Sequence, residues 1–305
     1  MRILLTGVNG QVGSALWSPL ASLGTVLAVD RTVFDLARPG ELPGILDAMA
    51  PDLIVNPAAY TAVDRAEDER ELAYRVNAEA PRAIAYWAAF HDVPMVHFST
   101  DYVFDGSGDR PWREDDPTAP LSVYGASKLA GESAVRKAGG SHLIVRTSWV
   151  FASKGKNFLN TIARLARERS ELRIVADQVG APTSARSLAE GLTSVLGVTA
   201  IGGRGEIVQR FDTAKGLIHM STSGETSWHG FACAIIEGLR KRGAELAVAS
   251  VTAIPTQEFP TKAVRPLNSR LDMGRLEKVL GVPMPKWEDA LDRELDGLGV
   301  LTGSL

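Results

Sequence analysis

The chain has 305 residues, 45% hydrophobic and 23% charged, enough to bury a core in one large domain or two smaller ones and unlike a disulfide miniprotein or a disordered chain. Thirty-three Lys and Arg against 36 Asp and Glu leave a formal charge of −3, so no basic field draws a nucleic acid. Cys233 stands alone, which excludes an internal disulfide and a CxxC thiolate cluster and fits a reducing, cytoplasmic setting.

The apolar run after Arg2 stops at Thr6-Gly7, short of a signal-peptide core, and no stretch approaches about 18 apolar residues, so neither export signal nor membrane span is expected. In chain order, β-type runs are predicted at 2–6, 25–29, 52–56, 94–99 and 142–147, most of them continuously apolar, as in strands covered on both faces. Helical patterns fall between them at about 11–23, 39–49, 66–91 with a break, and 123–138. This alternation predicts a Rossmann-type α/β fold, a doubly wound parallel sheet whose ligands lie beyond the carboxyl ends of the strands.

Beyond residue 150 the rhythm loosens. Helices are expected near 157–169, 185–197 and 228–242, with β-like pieces at 172–175, 217–221 and 247–253. Residues 199–216, rich in Gly and charge, read as an exposed loop or insertion. The expected division is a dinucleotide-binding domain at 1–149, with a candidate return strand at 217–221, and a smaller substrate-binding lobe at 150–305. The charged run 65–71 reads as a solvated helix face.

Gly7-Val8-Asn9-Gly10-Gln11-Val12-Gly13 follows the first strand and opens the first helix. Glycines there permit the chain reversal and the approach of backbone N–H groups to a pyrophosphate, to which the helix N-terminus adds partial positive charge. Asp30, closing the second strand, suits a ribose hydroxyl and hence NAD, whereas Arg31 suits the 2′-phosphate of NADP; the cofactor is NADPH or NADH.

Ser99-Thr100-Asp101 ends the fourth strand, and Tyr124 and Lys128, four apart at the head of a helix, share one face. Carbonyl reduction needs a proton donor at the oxygen, and a phenol beside an ammonium is expected to have a lowered pKa. The glycine turn with its GxxGxxG spacing, the strand-terminal Ser-Thr and the YxxxK pair together resemble the extended short-chain dehydrogenase/reductase family. That resemblance implies that Thr100 bonds the substrate oxygen, Tyr124 donates the proton, and Lys128 holds the nicotinamide ribose and tunes Tyr124.

A narrower resemblance rests on five further blocks in order: Asn56-Pro57-Ala58-Ala59-Tyr60-Thr61-Ala62-Val63-Asp64, Ser99 to Gly106, Arg146-Thr147-Ser148-Trp149-Val150, Asp177-Gln178-Val179-Gly180-Ala181-Pro182-Thr183, and Arg265-Pro266-Leu267-Asn268-Ser269-Arg270-Leu271. They are similar to the dTDP-4-dehydrorhamnose reductase family over nearly the whole chain. The resemblance implies reduction of the C4 ketone of dTDP-4-dehydro-β-L-rhamnose, the last step of dTDP-L-rhamnose synthesis. By it, Gly10, Gln11 and Val12 would hold the pyrophosphate within the cofactor-binding turn that Gly7 and Gly13 bound, Asp30 the adenosine ribose, Asp35 and Leu36 the adenine, and Ala59, Tyr60 and Thr61 the cofactor channel. Thr100, Asp101 and Trp149 would touch the sugar and Arg265 its diphosphate. Trp149 as a core aromatic and Arg265 as surface decoration are the structural alternatives.

Pro57 departs from the family, which usually has a small residue there. Ala15 and Arg186 stand where a family member has acidic residues around Mg²⁺ at a dimer contact, and they offer a hard dication no oxygen ligand, so no metal is expected. Other readings are another sugar-nucleotide reductase or epimerase, and a regulatory subunit like that of methionine adenosyltransferase, against which Thr100, Tyr124 and Lys128 argue. Monomer or homodimer is expected.

Overall fold

Residues 1–197 and 203–298 are described by the structure, a computed structural model. The first half runs β1 (Arg2–Leu5), α1 (Gln11–Ala21), β2 (Thr25–Ala28), α2 (Leu42–Met49), β3 (Leu53–Asn56), α3 (Val63–Ala66), α4 (Arg70–Tyr74), α5 (Ala80–Phe90), β4 (Met95–Thr100), α6 (Val123–Lys137) and β5 (His142–Thr147). The second half runs β6 (Val150–Phe151), α7 (Phe158–Glu168), β7 (Glu171–Val175), β8 (Val179–Gly180), β9 (Thr183–Ser184), α8 (Ala185–Leu196), α9 (Gly203–Thr213), β10 (Leu217–His219), β11 (Thr226–Ser227), α10 (Trp228–Lys241), β12 (Ser250–Ile254) and α11 (Trp287–Gly297).

Six strands form one parallel sheet in the order β10-β5-β4-β3-β1-β2. Successive residues of its strands feed opposite cores. Ile3, Leu5, Val55, Val96 and Val145 pack with Leu16 and Leu20 of α1 and Leu188 and Leu192 of α8. Leu4, Ile54, Met95 and Ile144 pack with Leu42 and Leu46 of α2 and Ile84 and Trp87 of α5. Both faces are covered, which is why the strand runs are continuously apolar; each fully buried aliphatic side chain contributes about 1.5–3 kcal/mol. A third core, around Phe151, Leu159, Ile162, Phe231 and Trp287, joins α7, α10 and α11, and β7 and β12 pair in a separate small sheet.

The helix expected at 66–91 is interrupted, as anticipated. After α4 the backbone makes a π-helical turn, Arg75–Glu79, and resumes as α5 with Pro81 in its first turn. Pro81 has no N–H to give the carbonyl four residues back, so an unbroken α ladder is unavailable there. The loop expected at 199–216 is corrected: 199–202 lie outside the described residues, and 203–213 is the helix α9. Ile207 and Phe211, four apart and buried, dock α9 on the first core, so an apolar stripe outweighs the glycines. The piece expected at 217–221 is β10, an edge strand of the main sheet beside β5.

Candidate active site

From β1 the chain moves to β2 on one side and then crosses to β3 on the other, which opens a crevice beyond the carboxyl ends of β1 and β3. A cleft of about 790 Å³ lies there. It is lined by Gly7, Gly10, Gln11, Val12 and Gly13 from the turn after β1, and by Asp35 and Leu36 after β2. Ala59, Tyr60 and Thr61 line it after β3, Thr100 and Asp101 at the end of β4, Tyr124 and Lys128 from α6, and Trp149 after β5.

The first turn is built for backbone, not side chains. Gly7 has a positive φ of 62°, and a Cβ on Gly13 would come within 2.2 Å of the Gly7 carbonyl oxygen. Gly10 caps α1 without a side-chain hydrogen bond, and the first helical turn carries no acidic residue, so its N–H groups face the cleft with their positive dipole uncompensated. The loop after β3 is fixed by Asn77 of the π-helical turn. Its Oδ1 accepts from Tyr60 N at 2.8 Å, and its Nδ2 donates to Tyr60 O and Ser127 Oγ, each at 3.0 Å.

Ser122 caps α6 by accepting from Gly125 N at 3.2 Å, which points the first helical turn, with Tyr124, at the end of β4. Thr100 Oγ1 donates to Asp101 Oδ1 at 3.0 Å and accepts from Tyr102 N at 3.2 Å. Lys128 is buried, and its Nζ donates to Phe98 O at 2.6 Å.

The electrostatics differ from the expectation that Lys128 lowers the Tyr124 pKa. Burial raises Tyr124 to about 12, the neighbouring Asp101 carboxylate adds to the rise, and only a hydrogen bond with Thr100 opposes it. Burial also lowers Lys128 to about 8, partly offset by the Glu132 carboxylate. Desolvation wins because a phenolate here would lose water while facing a like charge. Tyr124 therefore holds its proton throughout the physiological range. Asp101, equally enclosed, rises to about 6 despite hydrogen bonds from Ser269 and Thr100.

Two expected site residues do not line the cleft. Asp30, expected to close the second strand, lies two residues past the end of β2, beside Arg31, which does line the cleft. Its Oδ1 accepts from Thr32 N at 2.9 Å and Thr32 Oγ1 at 2.5 Å, and its Oδ2 from Asn9 Nδ2 at 3.4 Å. These bonds hold its carboxyl below the usual range, so an acceptor remains at the rim. Arg265 forks onto Asp64 instead, in a loop that packs on α3.

Trp149 has an unusual positive φ of 48°, and its ring is covered on one face by Trp228, with centroids 3.7 Å apart and planes at 11°. Gly180 makes room, since a Cβ there would come within 2.8 Å of the Trp149 ring. The Trp228 indole N–H donates to Gln178 Oε1 at 3.1 Å. Both indoles line the cleft, so Trp149 is at once a packed aromatic and a wall of the site.

Sequence reasoning missed Tyr102, Trp228, Lys156 and Asn157, all of which line the cleft. Tyr102 lay inside the Ser99 to Gly106 block and packs edge-on against Tyr124 at 5.5 Å. Trp228 had no local signal, because only the packing of α10 brings it there. Ala15 lies on α1, and Arg186 pairs with Glu294 at 3.6 Å. Among the described residues no three His, Cys, Asp or Glu gather to hold a metal ion.

The family model described as RmlD substrate binding domain matches residues 1–299. A dTDP-4-dehydrorhamnose reductase of Burkholderia thailandensis is 48% identical over 95% of this chain and 97% of its own, and one of Escherichia coli K12 is 44% identical over 99% of both. A crystal structure of a dTDP-4-dehydrorhamnose reductase from Bacillus anthracis in complex with NADP superposes with a TM-score of 0.86 at 33% identity, covering 97% of this chain and 99% of that one.

Proposed function

Because the chain belongs to the dTDP-4-dehydrorhamnose reductase family, we propose that it reduces the C4 ketone of dTDP-4-dehydro-β-L-rhamnose to dTDP-L-rhamnose with NADPH or NADH. The observation that carries this reading is the convergence of Thr100, Tyr124 and Lys128 on the cleft that the glycine turn opens.

The residues present fit a dinucleotide. A Cβ at Gly13 would collide with the Gly7 carbonyl, so only glycine lets α1 pack this close behind the turn, and the N-terminus of α1 has no side-chain cap to displace. Gly7 to Gly13 would hold the pyrophosphate, Asp30 the adenosine ribose, Asp35 and Leu36 the adenine, and Lys128 the nicotinamide ribose. Arg31, exposed at the same rim, is the group that suits a 2′-phosphate. When bound, the reduced nicotinamide supplies the hydride.

Tyr124 then delivers its phenolic proton to the C4 oxygen as that oxygen becomes an alkoxide. An alkoxide is a stronger base than even this phenolate at about 12, so the transfer runs downhill, and a raised pKa keeps the donor loaded. Thr100 aligns the same oxygen and, by its hydrogen bond, is the group that favours the phenolate left behind; Lys128 holds the nicotinamide ribose, and solvent restores the proton. Asp101 accepts from a sugar hydroxyl, Trp149 and Trp228 form an apolar wall beside the sugar, and Arg265, which does not line the cleft and is paired with Asp64, would meet the diphosphate by exchanging that carboxylate for it. We assign 1–149 with β10 to cofactor binding and most of 150–305 to the sugar nucleotide. No described helix is long and apolar enough to cross a membrane; a monomer or homodimer in the cytoplasm, where reduced nicotinamide and sugar nucleotides are available, is the setting proposed.

The test is loss of reduced-nicotinamide absorbance with dTDP-4-dehydrorhamnose, run separately with NADPH and NADH and with dTDP-glucose as control. Consumption with the keto sugar alone is expected. No consumption with either cofactor removes the reading.

A further inference from the structure

Beneath the cleft a carboxylate is enclosed without touching it. Glu132 on α6 and Arg146 on β5 have side chains 0% and 2% exposed. Arg146 Nε donates to Glu132 Oε1 at 2.8 Å and its Nη2 to Oε2 at 2.7 Å. Ser99 on β4 donates from Oγ to the same Oε1 at 2.6 Å. Arg136, one turn along α6, reaches Oε2 at 3.4 Å. The guanidinium is satisfied elsewhere too, with Nη1 donating to the Glu114 carbonyl at 3.4 Å and its carbon 5.0 Å from the Phe104 ring centroid.

We propose that Glu132 is a positioning residue, which through Arg146 and Ser99 sets α6 against β4 and β5 so that Tyr124, Lys128 and Thr100 meet in the geometry of proton delivery. The proposal rests on the reductase reading above. Ser99 and Arg146 are direct partners across the β4–β5 ladder. One carboxylate descending from α6 therefore bridges two neighbouring strands at a single level. Every catalytic group is a short, stiff step from that level. Thr100 follows Ser99, Lys128 precedes Glu132 by one helical turn, Tyr124 precedes it by two, and Trp149 comes three residues after Arg146.

Stability alone does not explain such a pair. Removing two charges from water costs several kcal/mol each, and well-packed apolar residues of similar volume are often neutral or stabilising in their place. What an apolar pair lacks is direction. Two carboxylate oxygens that must satisfy a guanidinium fork and a hydroxyl from adjacent strands admit one placement of the helix, whereas apolar contacts permit sliding. Glu132 also favours the charged form of Lys128 one turn away, against the burial that opposes it.

The test compares the wild-type chain with the double variant Glu132→Leu/Arg146→Met and with Ser99→Ala, measuring kcat and KM for dTDP-4-dehydrorhamnose, NADPH affinity and the thermal midpoint. The double variant is expected to keep its thermal midpoint and to hold NADPH within about fivefold of wild type, while kcat falls by about tenfold or more, because sub-ångström misplacement weighs on the reacting geometry and little on ground-state binding. Ser99→Ala, which spares the ion pair and cuts its tie to β4 at a residue that also lines the cleft, is expected to lower kcat about threefold or more at an unchanged thermal midpoint and unchanged KM. A folded double variant with wild-type kcat overturns the proposal. If the double variant does not fold, an unchanged kcat in Ser99→Ala overturns it. An inactive wild type removes the reductase reading and the positioning role with it, whereas an active wild type beside unimpaired variants removes the positioning role alone.

Discussion

Arg265 and Asp64, far apart in sequence, face each other as a two-pronged pair, Nη2 to Oδ2 at 2.7 Å and Nη1 to Oδ1 at 3.0 Å. Ala263 N also donates to Asp64 Oδ1 at 3.1 Å, and Lys262 pairs with Asp68 nearby. The loop carrying Arg265 is thereby clasped to the helices after β3, and the guanidinium is held half-buried beside Tyr102, whose phenol burial and the Asp101 carboxylate push well up in pKa, with the Arg265 charge opposing only in part.

The two partners of that clasp are expected to separate in kinetics. Arg265→Ala should raise KM for the dTDP-sugar about tenfold with a smaller change in kcat, as loss of a charge-assisted contact to the diphosphate implies. Asp64→Asn removes only the clasp, and should lower stability by about 1 kcal/mol without raising KM. Equal KM increases in the two variants would mean that Arg265 serves the clasp alone.

Tyr124→Phe keeps the ring and its edge contact with Tyr102 and removes the proton. Turnover should fall by about 10²–10⁴-fold, with NADPH affinity, followed by fluorescence titration, nearly unchanged. Retained turnover would require another proton donor.

The pH profile of kcat should fall on the alkaline side as Lys128 loses its charge near pH 8, while Tyr124, raised to about 12, adds no limb in the accessible range. Lys128→Arg, which stays charged, should lack that alkaline fall whatever its absolute rate. A wild-type profile flat to pH 10 would contradict a role for the ammonium.

Asp101 makes a separate prediction for stability. Its folded pKa is raised to about 6, above the unfolded value near 3.9, so between those values the folded chain binds the extra proton. Its contribution is full below about pH 4 and is lost as pH rises through about 6, an effect on the order of 2–3 kcal/mol. Urea denaturation across this range should show the excess slope in wild type relative to Asp101→Asn. Parallel slopes would place the Asp101 carboxyl in a more solvated setting.

Gly180→Ala should disturb the sugar side alone. The new Cβ would meet the Trp149 ring at 2.8 Å and push it from its stack on Trp228. The expected result is a KM for the sugar raised severalfold at constant NADPH affinity, and equal weakening of both would remove Trp149 from the sugar wall.

Local chemistry made the cofactor half legible. Apolar runs of strand length, the glycines of the first turn and the Tyr124–Lys128 spacing each act through neighbours close in sequence, so periodicity and backbone constraint reveal them directly. The same reasoning failed at 203–213, where Gly and charge masked the single stripe of Ile207 and Phe211 that docks α9.

By itself, then, the sequence determined the parallel sheet, the glycine turn after β1 and the placement of Tyr124 and Lys128 on one helix face, because these follow from local sterics and the period of apolar residues. Only the tertiary structure decided that Trp228 covers Trp149, that Arg265 is held by Asp64, that Glu132 ties β4 to β5, and that Tyr124 is made a weaker acid rather than a stronger one. Those outcomes depend on what surrounds each group after distant segments pack, and desolvation, which sets the pKa values, has no counterpart in the order of residues along the chain.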